Sequence, residues 1–302
     1  MEVLGRLLGL LVLLALGTGL RSVGILDEGR TQRLNALAYY VALPALVFVS
    51  TYDRTIGELL TPALLLGPVV VLVGIAGLAW VIHRARTARD RRSVAIVQSY
   101  HSNLGYLGLP LVAATFSDDV TALASVVLGV ASLTQVPLTI IVLTSGGEFG
   151  GSVRSELSQL ARNPVLVVLL LGLTVGSLGL SLPGSLTAGL DVLGTLALPL
   201  ALLCVGATLQ IDLPEVDVGA SAAVVALKIG VMPILAWAVF SLLRVDPAAF
   251  AASVVMLGTP TAVSTYVFAN ELGGDPEFAS LNVFLTTLGS VGTLFVLIRA
   301  VG

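Results

Sequence analysis

The side chains able to do chemistry in this sequence are few, and they gather at two interruptions of apolar stretches. The first is Gln98–Pro110, reading QSYHSNLGYLGLP, in which His101, Ser102 and Asn103 are followed by Gly105, Gly108, Leu109 and Pro110. The second is Gly258-Thr259-Pro260-Thr261, with Ser264 and Thr265 on the turn that follows. Amides, hydroxyls and free backbone groups at such breaks bind ligands. Proline has no N–H, and its ring clashes with the carbonyl four residues back, so a helix cannot run through Pro110 unaltered. Pro110 can instead stand as the first residue of a new half-helix, whose unpaired N–H groups and positive dipole end attract an anion. Pro260 repeats that arrangement. Lipid satisfies no freed backbone group, so both breaks must face protein, water or a ligand.

Each residue also has a plainer reading. The Asn103 amide can bond the backbone released by the kink, or it can hold a substrate. Thr261, Ser264 and Thr265 taken singly repair broken helices by bonding carbonyls; taken together beside Pro260 they can line a site. His101 is either a hydrogen-bonded packing residue or a proton relay, since the unperturbed imidazole titrates near neutral pH. Gln98, Gln135 and Asn282 read as links between helices. Lys228, the only lysine, falls about ten residues into an apolar stretch, roughly 15 Å from the nearer interface at the helical rise per residue. A lysine at that depth costs about 2.5–3.5 kcal/mol on insertion scales. It can pair with a carboxylate, cap carbonyls, or stand in for a bound cation.

The elements that position these residues follow from composition. The chain has 302 residues, 56% hydrophobic and 11% charged, and a mean hydropathy of +1.02. Soluble domains carry about 25% charged residues, so the chain is read as an all-α integral membrane protein. A span needs about 20 apolar residues. Ten stretches qualify: Val3–Leu20, Leu34–Ser50, Pro62–Ile82, Val94–Phe116, Thr121–Leu143, Pro164–Leu180, Leu186–Leu209, Gly219–Leu243, Ala248–Glu271 and Phe278–Ile298. The first is read as a span rather than a signal peptide, because Glu2 sits in the would-be basic region and no A-x-A site follows. The connection Thr144–Asn163, with Gly146-Gly147 and Gly150-Gly151, reads as a joint between halves 1–145 and 160–302.

Arginines orient the spans. Arg21, Arg30, Arg33, Arg84, Arg86, Arg89, Arg91, Arg92, Arg154 and Arg162 fall on one side, against Arg6, Arg54, Arg244 and Arg299 on the other. The excess marks the cytoplasmic side and places both termini outside a cell membrane. Ala42-Leu43-Pro44 is echoed by Ala197-Leu198-Pro199, and Pro110 by Pro260. Five spans per half is an odd number, so the second copy enters from the opposite face: a 5+5 inverted repeat, a common plan for secondary transporters.

Several ordered strings then carry a family resemblance. They are Ala42-Leu43-Pro44, Asn103 through Gly108-Leu109-Pro110-Leu111, Asn163-Pro164, Leu198-Pro199-Leu200-Ala201-Leu202 with Gly206, Lys228 with Pro233, and Pro260 followed by Tyr266-Val267-Phe268-Ala269 and Asp275-Pro276-Glu277. In this collinear set the chain resembles the auxin efflux carrier family. The resemblance implies ten helices, with spans four and nine crossing at their prolines beside the substrate. It implies a scaffold of spans one, two, six and seven, often a homodimer interface, and a transport domain of spans three to five and eight to ten that moves in an elevator-like shift. The asparagine matched by Asn103 contacts an anionic substrate in that family. The long cytoplasmic loop of the plant members is missing here, and span three offers no acidic partner, so substrate and coupling do not carry over.

The expected function is therefore secondary transport of a small organic anion through the bilayer. Nothing calls for a cofactor, a metal or a nucleic acid. The lone Cys204 forms neither a disulfide framework nor a metal cluster. No H-E-x-x-H, G-x-S-x-G or P-loop pattern appears, so no enzyme is expected. The rival readings are a sodium-coupled symporter of the bile-acid type, with Asn103, Ser102, Thr259, Ser264 and Gln98 as the available oxygens, and a membrane sensor that transports nothing.

Overall fold

The computed structural model describes residues 2–85, 88–145, 162–208 and 217–302, with Ser158 and Leu160 between. The glycine joint at 146–151, Arg86, Arg154 and Leu209 lie outside the described residues. Every regular element among those described is a helix; the single extended contact is an isolated bridge between Ser102 and Thr261. Six helices are long and apolar enough to cross a membrane: Glu28–Thr51, Pro62–His83, Asp118–Thr144, Gly184–Thr208, Val218–Leu242 and Pro276–Val301. Four shorter apolar helices are Leu11–Ser22, Leu104–Thr115, Pro164–Ser177 and Pro247–Leu257. These overlap the ten stretches read from the sequence. Large apolar side chains such as Leu66, Leu170, Ile234 and Leu242 point outward, while Gln98, Asn282, Thr286 and Lys228 are fully buried. Polar groups inside and apolar groups outside is the distribution that a lipid surround selects.

The helix starts follow a local rule. Thr61, Asn163, Asp246 and Asp275 each cap a helix by accepting a backbone N–H, and each precedes a proline at the first helical position. The cap satisfies an orphan donor, and the proline supplies a preset φ where no N–H is needed. Asp27 caps Glu28–Leu37 by accepting from Arg30 N at 2.8 Å, which is why that helix begins six residues before the apolar stretch does.

Three internal prolines act differently. Ala38–Ala42, Leu104–Gly108 and Ala226–Val231 are π-helical turns, and Pro44, Pro110 and Pro233 each stand just after one. In each case the residue before the proline bonds the carbonyl five back: Leu43 to Ala38, Leu109 to Leu104, Met232 to Leu227. Widening the turn relieves the ring clash without ending the helix.

Close helix crossings use glycine. A Cβ on Gly17 would meet the Leu203 carbonyl, and one on Gly206 would meet the Leu14 carbonyl, so the first helix and Ala197–Thr208 approach backbone to backbone. Thr18 Oγ1 donates across this contact to Gly206 O at 2.8 Å. Small residues with a hydroxyl bond are the usual adhesive between helices in lipid, where the hydrophobic effect gives no pull.

Candidate functional site

The helix Arg89–Tyr100 ends at His101, and the helix Pro247–Leu257 ends at Gly258. Between them the two extended breaks run antiparallel. Asn103 N donates to Pro260 O at 2.8 Å, and Ala262 N donates to His101 O at 3.0 Å. Ser102 faces Thr261 as the non-bonded pair between these two bonds. Each break thus satisfies part of the other's backbone, which lipid could not do. The outer edges are also held. Gln135 accepts from Ser102 N at 3.0 Å and donates to Ser102 O at 3.2 Å, so one side-chain amide completes both backbone groups. Thr286 Oγ1 accepts from Thr261 N at 3.3 Å.

Most of the polar residues at the crossing are used structurally. Gln98 donates through Nε2 to Thr265 Oγ1 at 3.1 Å and to Ala279 O at 2.8 Å, and its Oε1 accepts from Asn282 Nδ2 at 3.0 Å. Thr261 Oγ1 donates to Gln98 O at 2.7 Å, and Thr265 Oγ1 donates to Ala262 O at 2.7 Å. His101 Nδ1 meets Thr139 Oγ1 at 2.8 Å, and that hydroxyl also contacts the Tyr100 hydroxyl at 3.0 Å. Lys228, fully buried, bonds the carbonyl of Leu257 and the sulfur of Met232, each at 3.2 Å.

Asn103 is the exception. It is 4% exposed. Its backbone N–H is in the bridge and its carbonyl accepts from Gly108 N at 2.9 Å. Its side-chain amide makes no hydrogen bond among the described residues. Gly105 and Tyr106 follow directly, in the first turn of Leu104–Gly108, and their N–H groups likewise find no protein acceptor there. Asn103 therefore stands at the N-terminal end of a half-helix whose leading N–H groups are free, where the helix dipole is positive. The matching half-helix Ser264–Glu271 begins at an exposed Ser264, and the N–H groups of Val263 and Ser264 have no acceptor among the described residues.

Pro110 does not open this half-helix. The helical turns begin at Leu104, six residues earlier, and Pro110 with Leu109 lies buried in the second position of Leu109–Thr115. The π turn absorbs the proline, and the break at His101–Asn103 is set instead by pairing with Pro260–Ala262. Pro260 lies inside its own break and lends its carbonyl to Asn103. Thr139, Thr286 and Met232 hold the crossing and were not singled out from sequence. A threonine in an apolar helix commonly bonds its own carbonyls, as Thr286 does with Asn282 O at 2.7 Å, so residue type alone gave no signal. Among the described residues no cluster of three metal-ligating side chains occurs.

The described residues are all-helical, with six helices long and apolar enough to cross a membrane, as a polytopic membrane protein requires. The chain belongs to the membrane transport protein family, whose profile matches residues 2–159 and 151–298. It is similar to an uncharacterized transporter of Methanothermobacter thermautotrophicus, 25% identical over 95% of this chain and 94% of that protein. An uncharacterized transporter of Methanocaldococcus jannaschii is 24% identical over 93% of each chain. A Rhizobium meliloti protein named "Putative malonate transporter" is 25% identical over 86% of this chain and 84% of its own. The auxin efflux carrier resemblance led to this same family, and its members are membrane transporters rather than enzymes. The protein is accordingly a multi-pass membrane transporter.

Proposed function

We propose that the protein is a secondary carrier for a small organic anion, a carboxylate, held at the crossing of the two broken helices. The observation that carries this reading is the unpaired Asn103 amide beside the free N–H groups of Gly105 and Tyr106. A half-helix terminus presents about half a positive charge, and in a low-dielectric interior that charge attracts a carboxylate far more strongly than in water. The free N–H groups at Val263 and Ser264 offer a second terminus. The name of the Rhizobium meliloti relative is in keeping with a carboxylate substrate.

The transport cycle in this reading is an elevator. Ten spans form a 5+5 inverted repeat, with spans one, two, six and seven as scaffold and three to five and eight to ten as the moving body. The test is uptake into proteoliposomes of radiolabelled malonate and acetate, with neutral malonamide as control. Uptake of a carboxylate above protein-free liposomes is expected, and malonamide should not compete. No uptake of either acid, or equal competition by malonamide, rejects the carboxylate reading.

The arginine excess supports a cell-membrane orientation with both termini outside. Single cysteines introduced near Met1 and Gly302, in a Cys204→Ala background, should react with an impermeant thiol reagent in intact cells. Labelling confined to inverted vesicles reverses the orientation.

A further inference from the structure

His101 is held at one ring nitrogen and open at the other. Nδ1 lies 2.8 Å from Thr139 Oγ1, and that hydroxyl lies 3.0 Å from the Tyr100 hydroxyl. Tyr100 and Thr139 are sealed in the interior, and neither hydroxyl has another partner among the described residues. Counting hydrogens then fixes the direction of the chain. The Tyr100 proton has one acceptor in reach, Thr139 Oγ1, so the Thr139 proton goes to Nδ1. Nδ1 is therefore the acceptor, and the imidazole is the neutral tautomer with its proton on Nε2. The reverse order, Nδ1–H to Thr139 and Thr139 to Tyr100, leaves the buried phenol proton with nothing to bond, a cost the first order avoids.

The Nε2 atom has no protein acceptor among the described residues, yet it is not one of the side-chain atoms shut away without a partner. The same holds for the Asn103 amide. Side chains alternate along extended backbone, and Ser102 stands between the two with its hydroxyl 3.9 Å from Met232 Sδ. His101 and Asn103 therefore share the opposite face of the Ser102–Thr261 bridge. Phe268, one turn past the start of Ser264–Glu271, lies 5.8 Å from the His101 ring by centroid and packs it against that second half-helix. We propose that His101 Nε2–H is a second side-chain donor to the transported carboxylate, acting beside Asn103, with Thr139 and Tyr100 setting the tautomer that makes it one. His101 then works as a fixed neutral donor and not as a proton carrier. Thr139 and Tyr100 are positioning residues, which touch the imidazole and not the substrate. This inference rests on the reading of the crossing as a carboxylate site.

The first readout needs no substrate. The chain has two histidines, so protein labelled with 15N in the imidazoles gives two sets of ring signals, and the set lost in His101→Gln belongs to His101. At neutral pH that set should show a protonated Nε2 and a bare Nδ1; a protonated Nδ1 overturns the proposal. In Thr139→Val the single tautomer should give way to a mixture, and an unchanged tautomer there overturns the positioning role. Malonate added to wild type should shift the Nε2–H resonance.

Two amides then divide the ring. His101→Asn puts a carbonyl oxygen near the Nδ1 position, where it accepts from Thr139, and has nothing at Nε2. His101→Gln reaches the Nε2 position with an N–H. Malonate affinity is read from the concentrations that raise the melting point of each purified protein. It should fall about tenfold or more in His101→Asn, as for the loss of one hydrogen bond to a charged group, and stay within about threefold in His101→Gln. Wild-type affinity in folded His101→Asn, or equal losses in the two variants, overturns the proposal. If His101→Asn does not fold, the wild-type Nε2–H resonance decides, and its indifference to malonate that raises the melting point overturns the proposal. A wild-type protein that binds no carboxylate ends the carboxylate reading and this role with it, whereas carboxylate binding that ignores position 101 ends this role alone.

Discussion

Asn103→Asp should abolish carboxylate uptake and leave the protein folded. The two side chains have the same shape, and the fold uses only the Asn103 backbone, through Pro260 O and Gly108 N. The change removes the Nδ2 donor, and a hydrogen bond to a charged group is worth about 1.5–3 kcal/mol. It also introduces a like charge beside the proposed carboxylate position, a repulsion of about 4 kcal/mol at 4 Å and an effective dielectric of 20. A carboxylate fixed at the start of Leu104–Gly108 can itself accept from the free N–H groups of Gly105 and Tyr106, so the variant carries its own competitor. The loss should exceed about a thousandfold, against tenfold to a hundredfold for Asn103→Ala, where only the hydrogen bond is removed. The melting point separates this from misfolding. An acidic residue at a helix N-terminus is stabilising, so Asn103→Asp should melt no lower than wild type while its uptake is gone. Wild-type malonate uptake by a folded Asn103→Asp protein would remove the anion site from this crossing.

The parts of the fold governed by local chemistry were legible in the sequence. A span announces itself by composition, and a cap followed by proline, as at Asp246-Pro247 and Asp275-Pro276, marks a helix start within four residues of chain. The break at Gln98–Pro110 was visible because Asn103 and two glycines interrupt an apolar run, but its place was misjudged. The sequence shows Pro110 and not the π turn that accommodates it, since whether a turn widens depends on the space around it. The interruption at His101–Asn103 has its cause 157 positions away, in the carbonyl of Pro260, and no local rule reports such a partner. The same limit applies to the hydroxyls. Thr261 and Thr265 were candidates for lining a site, yet both donate to carbonyls, which is the ordinary repair of a broken helix. Lys228 could be placed at mid-depth by counting residues, but its acceptor Leu257 O lies on another helix. A polar residue in an apolar span can be found in a sequence; which of its bonds is already taken cannot.

Two cysteine pairs distinguish an elevator from a motion within the crossing. Ser102 and Thr261 form a non-hydrogen-bonded antiparallel pair, for which Cα atoms lie about 4.5 Å apart, within the range a disulfide spans. Ser50 and Ser125 place their hydroxyl oxygens 2.9 Å apart, one on Leu43–Thr51 and the other on Asp118–Thr144. Arg54 and Asp119 pair near the end of the same contact. In the elevator reading Ser102 and Thr261 travel together, whereas Ser50 belongs to the scaffold and Ser125 to the moving body. With Cys204→Ala removing the one native thiol, oxidation should cross-link both pairs. The Ser102→Cys/Thr261→Cys bond should leave uptake within about threefold of the same reduced variant, because a body that moves rigidly has no need to open there. The Ser50→Cys/Ser125→Cys bond should cut uptake by about tenfold or more until a reductant is added, because it fastens the two bodies in one arrangement. A monodisperse protein in which the first pair fails to cross-link would lack the crossing. Full uptake through the second, confirmed as oxidised by mass spectrometry, would mean that the helices carrying Ser50 and Ser125 do not separate during transport, and the elevator division would have to be drawn elsewhere.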